Sequence, residues 1–325
     1  MKRGASIAAV IVVVFLCITS CVIGGFNRNG AQVVLPNIQM APEQLFPHSP
    51  VPITNTLVTT LVVDLVLIGG AWWGCRAIRK GDPQALIPTG FQNLLEMVYE
   101  TLDNMISNIL GDHKHHLPGV VALLMTFFVF ILVANWIELI PGFDTIGIIE
   151  PVHEGAGHSM TQVGPFGILT MPEVAEGGYE LIPIFRAVNT DLNLPLAMAL
   201  IAMVMVQYYG VYTAGAKYFF RFFNVKAVQE QGFIGVFLWL ASVLEIISEF
   251  SKIISFTFRL FGNIFAGAVL LMVMMMLVPF IGSGIFYLLE LFVGFVQALV
   301  FMMLTASFIT SALSEHGAEE SHSAA

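Results

Sequence analysis

Charge is what this chain has least of. Asp, Glu, Lys and Arg make up 11% of its 325 residues, where a soluble domain carries about 25%, so a water-soluble globular protein is excluded. Basic residues are scarcer than acidic ones, 13 against 22, for a net charge of −9. No basic face exists to bind nucleic acid. Cysteine is nearly absent: Cys17, Cys21 and Cys75 lie in or beside apolar segments and build no disulfide framework. No G-x-x-x-x-G-K-[ST] run occurs, so a P-loop nucleotide site is excluded. Metal-ligand spacing is missing too. The run Asp112-His-Lys-His-His116 stands just before an apolar stretch and reads as a solvated interfacial loop. His153 and His158 are five apart with glycines between them, which no single helix face can hold as a metal pair. Neither a metal nor another cofactor is expected.

What remains is apolar sequence. Hydrophobic residues make up 57% of the chain, and mean hydropathy is +0.84. Several runs approach the roughly 20 residues that cross a bilayer as a helix. Residues 1–25 carry Lys2 and Arg3 before the apolar run 7–23, which fits either a signal segment or an uncleaved first membrane helix. Residues 26–56, rich in proline, read as an extended extracytoplasmic segment. Residues 57–73 form the next span, and Arg76, Arg79 and Lys80 follow it directly. By the positive-inside rule, this cluster and Lys2/Arg3 agree on one topology.

Residues 88–110 mix Glu96, Glu100 and Asp103 with apolar positions at helical spacing, the pattern of an amphipathic helix along the cytoplasmic surface. Residues 120–140 cross outward, 142–184 form a long acidic loop punctuated by Gly and Pro, and 192–215 cross back. Residues 233–278 are nearly continuous apolar sequence. As one helix they would reach about 69 Å, far beyond the roughly 30 Å hydrocarbon core, so they either break into two spans or lie steeply tilted. Gly282-Ser-Gly284 is expected to turn the chain into a final helix over 285–312, and the polar residues 314–325 to be a disordered tail. The sequence shows no internal repeat and no second folded domain.

One cation breaks the apolar pattern. Arg259 is always protonated, and placing it mid-membrane costs about 2.5–3.5 kcal/mol on insertion scales. Glu245, Ser248, Lys252, Ser255, Arg259 and Asn263 recur at spacings of 3 and 4 and share one helix face. Glu249 sits at its edge. That face reaches about 27 Å, close to the hydrocarbon thickness. On the last helix Glu290, Gly294 and Gln297 share a face in the same way. Intramembrane ionisable groups so arranged line an ion or proton path. Isolated serines or lysines can instead bond back to the helix or snorkel to an interface, but a six-position stripe with a central Arg has no such account.

The run Arg259-Leu-Phe-Gly-Asn-Ile-Phe-Ala-Gly267 resembles the signature of subunit a of F-type rotary ATP synthases, bacterial type. Three other stretches match in order: Leu124 to Asn135 with Ile140-Pro-Gly142, Arg186 to Asn193, and Phe295 to Thr305. The resemblance implies an all-α integral membrane protein with five or six membrane helices, one amphipathic surface helix, and a long tilted C-terminal hairpin facing the c-ring. Residues 57–313 would form this membrane domain. It implies a proton-translocating stator subunit, not itself an enzyme, with two half-channels at the ring. Arg259 then stands opposite the ring carboxylate. Asn263, Gln297 and Glu290 line the outer half-channel, and Asp191 and Asn193 lie near its mouth. Glu245, Ser248, Lys252 and Ser255, with Glu249 beside them, match the face linked to the cytoplasmic half-channel. The implied partners are the c-ring proteolipids, the peripheral-stalk b subunits, the rest of the complex and membrane lipid. The implied location is the bacterial plasma membrane with a cytoplasmic C-terminus, and the resemblance favours H⁺ over Na⁺.

The chain departs from that pattern at one place. Many bacterial relatives carry Glu nine residues after the arginine and His where Glu290 stands; here the first position is Ala268. The expectation is that Glu290 carries the relay alone, or with Asp191 and water. The competing reading is a secondary ion-coupled transporter, a class built from paired repeats and interrupted helices.

Overall fold

The computed structural model describes residues 42–45, 53–76, 90–111, 114, 117–140, 143, 146–151, 157–163, 166–174, 178–215, 218, 233–277 and 281–323. Residues 1–25, and with them the choice between signal segment and first helix, lie outside the described residues.

Among the described residues six α-helices carry the fold: α1 (Asn55–Gly74), α2 (Phe91–Leu110), α3 (Val120–Ile137), α4 (Asn193–Ala214), α5 (Phe233–Leu277) and α6 (Ile281–Ser323). All but α2 contain a stretch long and apolar enough to cross a membrane. The chain is a multi-pass membrane protein. Helix boundaries follow local chemistry. Gly111 and Gly215 end α2 and α4 at φ of 54° and 62°, a conformation that costs a side-chain-bearing residue and that glycine adopts freely. Their N–H groups donate to Ser107 O and Val211 O, closing the last turns.

The long apolar stretch resolves into one unbroken helix of 45 residues. Nothing in it forces a break: it contains no proline, and proline is the residue that removes a helical donor. The next helix begins at Ile281, so Gly282 and Gly284 belong to its first turn and not to the turn expected there. That helix runs on to Ser323, which places helix over most of the tail expected to be disordered. Ser and Glu dominate residues 314–323, and Glu propagates a helix already nucleated.

The chain divides into two compact units, each assembled from three separate stretches. This is why no boundary shows in the sequence. The first unit holds Ile137–Ala187 and Ile264–Val293 besides the N-terminal stretch. Here the expectation of a long acidic loop is corrected. Strands β1 (Gly147–Pro151), β2 (Gly157–Val163), β3 (Phe166–Val174) and β4 (Tyr179–Pro183) form an antiparallel sheet in the order β1-β4-β2-β3. Gly147 pairs with Pro183 at the base, where a Cβ on Gly147 would strike the Ile182 carbonyl. The rings of Phe143 and Phe185 meet at 5.3 Å, and Arg186 N–H donates to Thr59 Oγ1 at 3.1 Å, tying the sheet's exit to the start of α1.

The second unit holds Thr60–Trp136, Val188–Asn263 and Gly294–Ala325 and contains the hydrophobic core. Leu102, Ile106 and Leu110 of α2 pack with Leu124, Phe128 and Ile131 of α3, Ala199, Ala202 and Val206 of α4, Leu260 of α5 and Phe301, Met302 and Ile309 of α6. The small residues of α4 allow close helix approach. On α2 the residues Leu94, Met97 and Tyr99 remain exposed, consistent with a helix that lies at a surface. Lys114 reaches back to both carboxylate oxygens of Asp103 at 2.7 Å and to Ser107 Oγ at 2.7 Å.

Candidate functional site

The polar stripe survives folding as one face of α5. Ser248, Ser251, Lys252, Ser255 and Arg259 line a recess of about 400 Å³, closed by Leu244, Ile247, Phe256 and Phe308. Arg259 is exposed. Its Nη2 donates a long hydrogen bond to Ser255 Oγ at 3.5 Å, and the guanidinium lies 5.8 Å from the Phe256 ring centroid. No carboxylate among the described residues forms an ion pair with it.

Phe256 holds this part of α5 in place. It is buried, meets Phe301 at 4.8 Å and sets its edge against Phe308 at 5.5 Å; Phe301 in turn meets Phe127 of α3 at 5.5 Å. Around the recess, Leu240, Leu244, Ile247, Phe250, Ile254 and Phe258 are exposed at helical spacing. The cation therefore stands at the margin of an apolar face suited to lipid or to another apolar helix.

Two helical turns away the charges are internally matched. Lys252 Nζ lies 2.6 Å from Glu249 Oε1, and Gln207 Nε2 of α4 donates to Glu249 Oε2 at 3.0 Å. Lys252 also lies 5.0 Å from the Phe308 ring centroid. Glu245, a helical turn before Glu249, is half-buried.

Toward the other end of the stripe, Asn263 Nδ2 donates to Gln297 Oε1 at 3.5 Å. Gln297 is buried, and its Nε2 has no hydrogen-bond partner among the described residues. Beside it a chain of amides crosses three elements. Asn189 Nδ2 donates to Asn135 Oδ1 at 2.6 Å, and Asn135 Nδ2 donates to Gly294 O at 3.2 Å. Both asparagines are about 1% exposed. Asp191 is buried and uses Oδ1 to accept the Asn193 N–H at 3.0 Å, an Asx turn that starts α4. The Asn193 residue itself is exposed.

Glu290 belongs to the first unit. It is buried against Gly267 of α5, and its Oε1 has no hydrogen-bond partner among the described residues. Within the second unit the structure thus brings together Glu249 with Lys252, Ser255 with Arg259, Asn263 with Gln297, and Asp191 with Asn193.

Sequence reasoning missed four participants: Asn135, Asn189, Gln207 and Ser251. A signal existed for Asn135 and Gln207, each an amide inside an otherwise apolar helix, where an unpaired amide is costly. Ser251 stands between two stripe positions and gives no separate signal. No group of three or more His, Cys, Asp or Glu able to hold a metal occurs among the described residues.

A family model described as ATP synthase A chain matches residues 56–310. The chain belongs to the ATP synthase subunit a family. Among curated relatives, the ATP synthase subunit a of Gloeobacter violaceus is 29% identical over 262 residues, 81% of this chain and 85% of that protein. That of Moorella thermoacetica is 25% identical and covers 85% of this chain and 98% of its own length. That of Geotalea uraniireducens is 30% identical, covering 70% and 77%. The match to the subunit a family spans every site residue from Asp191 to Gln297 and leaves most of the N-terminal segment and the end of α6 outside it.

Proposed function

We propose that this chain is the proton-translocating stator of a rotary ATP synthase membrane sector, lying beside a ring of proteolipid subunits in a bacterial plasma membrane with its C-terminus cytoplasmic. The observation that carries the reading is Arg259: a permanent cation on an exposed, apolar helix face, without a carboxylate partner among the described residues. Such a group is expensive in a membrane and calls for an anion from another polypeptide. A ring carboxylate that arrives protonated from the lipid supplies one.

The chemistry follows from electrostatics. At an effective dielectric near 20, a pair at 4 Å gains roughly 4 kcal/mol, which biases a carboxylate roughly a thousandfold toward its anion before desolvation is subtracted. Arg259 therefore draws the proton off a passing ring carboxylate, and its own charge blocks a proton from leaking straight across. Protons must ride the ring between two access routes. Asn263, Gln297 and Glu290, with Asp191 and Asn193 toward the mouth, serve the outer route. Glu245, Ser248 and Ser255 form the wall of the cytoplasmic route, with Lys252 and Glu249 as a charge-matched pair beside them. Each charge carried through 100 mV supplies about 2.3 kcal/mol to rotation. Peripheral-stalk b subunits hold the chain against the ring, and nucleotide chemistry lies on the soluble subunits.

The unbroken α5 argues against the interrupted helices of a secondary transporter. The test is Arg259→Ala in the assembled complex. Proton-driven ATP synthesis should vanish while the proteolipid ring and soluble subunits still co-purify; normal synthesis would overturn the reading.

A further inference from the structure

We propose that Glu249 is a positioning residue that cancels the charge of Lys252, so that an incoming carboxylate meets an uncompensated cation only at Arg259. The inference rests on the role of Arg259 given above. Lys252 and Arg259 line the same recess, seven residues apart on one face, about 10 Å along the helix. A bare ammonium at that distance would offer a travelling carboxylate a second resting place, with three donors on a flexible stem. Glu249 removes that competitor: its Oε1 lies 2.6 Å from Lys252 Nζ.

The pair is held, not merely adjacent. Gln207 Nε2 engages the second oxygen of Glu249 at 3.0 Å from the neighbouring helix. The Phe308 ring lies 5.0 Å from Lys252 Nζ. Side-chain exposures of 22% for Lys252 and 14% for Glu249 put both largely out of water, where a matched pair is screened little. Arg259, by contrast, is exposed and among the described residues meets a serine hydroxyl and a ring face. A carboxylate with both oxygens engaged by donors is also poorly set up to pick up and hand on protons. Glu249 therefore acts through Lys252 and not as a relay.

The experiment is a rescue. Membrane vesicles carrying the complete complex are assayed for ATP-driven proton pumping per assembled complex, with ring co-purification as the measure of assembly. Glu249→Gln should lower coupled pumping about tenfold, the size of a unit-charge interaction at 10 Å and effective dielectric near 20. Adding Lys252→Met to Glu249→Gln should restore most of that loss, because no charge is left to mask. A relay role predicts the opposite: the double variant would pump no better than Glu249→Gln, and the proposal would be overturned. If Glu249→Gln leaves no assembled complex, Gln207→Leu is read in its place. It frees one oxygen of Glu249 and should give a partial loss that Lys252→Met relieves; no loss, or a loss without relief, overturns the proposal. Arg259→Ala run alongside separates the two readings. Its inactivity together with a failed rescue sinks only the role of Glu249, whereas its full activity sinks both.

Discussion

Gly267 of α5 lies directly against the carboxylate of Glu290 on α6: a Cβ at that position would overlap both carboxylate oxygens. The glycine is there for what it lacks. In an open helix Gly→Ala stabilises by about 1 kcal/mol. Here the added methyl must push aside the carboxylate end of the Glu290 side chain, a flexible group whose retreat costs little stability but moves the carboxylate. Gly267→Ala should therefore leave the complex assembled with little change in its thermal unfolding midpoint and slow proton flux through it. Unaltered flux would show that the two groups do not compete for the space.

Glu290 is the buried carboxylate assigned above to the proposed outer route, and its Oε1 has no hydrogen-bond partner among the described residues. Glu290→Gln keeps the shape and removes the exchangeable proton. Loss of a positioned proton-transfer group costs about 10²–10⁴-fold, so passive and driven proton flux should each fall about 10²-fold with the complex intact. Undiminished flux in both assays would take Glu290 off the path.

The amide chain Asn189–Asn135–Gly294 is a stability element as well as a polar track. Asn135→Leu keeps the branched side-chain skeleton but leaves the Asn189 amide donor buried and unpaired, a penalty of about 1–3 kcal/mol. The unfolding midpoint in detergent should fall. Because the two asparagines are directly bonded, Asn135→Leu with Asn189→Leu should cost less than the sum of the single changes. Strict additivity would argue against the bond.

Phe256 links the Arg259 turn to the aromatic cluster on α6. Removing a buried phenylalanine costs about 3–5 kcal/mol. Phe256→Ala should sharply reduce the amount of assembled complex, whereas Phe256→Leu, which refills most of the volume, should restore assembly and leave a deficit in ATP synthesis. Equal assembly of wild type and Phe256→Ala would show that this ring does not hold α5.

Much of the site was legible from the chain alone because a helix converts spacing into geometry. Ser248, Lys252, Ser255 and Arg259 recur every three or four residues, and they do share one recess. The pairing of Asn263 with Gln297 across two helices was less direct: each face could be read, but which face meets which is a packing outcome. Glu249 illustrates the limit. Its position at the stripe's edge was plain, but its partner Gln207 lies 42 residues away, and no local pattern joins them. The sheet escaped for a different reason. Residues 142–184 carry Gly, Pro and acidic residues that mark a loop, and strand pairing between β1 and β4 joins segments about 30 residues apart.

The sequence by itself determined that this chain lives in a bilayer, that it spans it as helices, and that a stripe of polar and charged residues with Arg259 among them runs along one apolar helix. Those follow from composition and from a 3.6-residue period, which need only local information. Tertiary structure alone decided that Gln207 of α4 engages the carboxylate of Glu249 and that the buried amides find one another. Each of those depends on side chains distant in sequence meeting at hydrogen-bond range, where burial makes an unpaired polar group costly and so selects one packing over its alternatives.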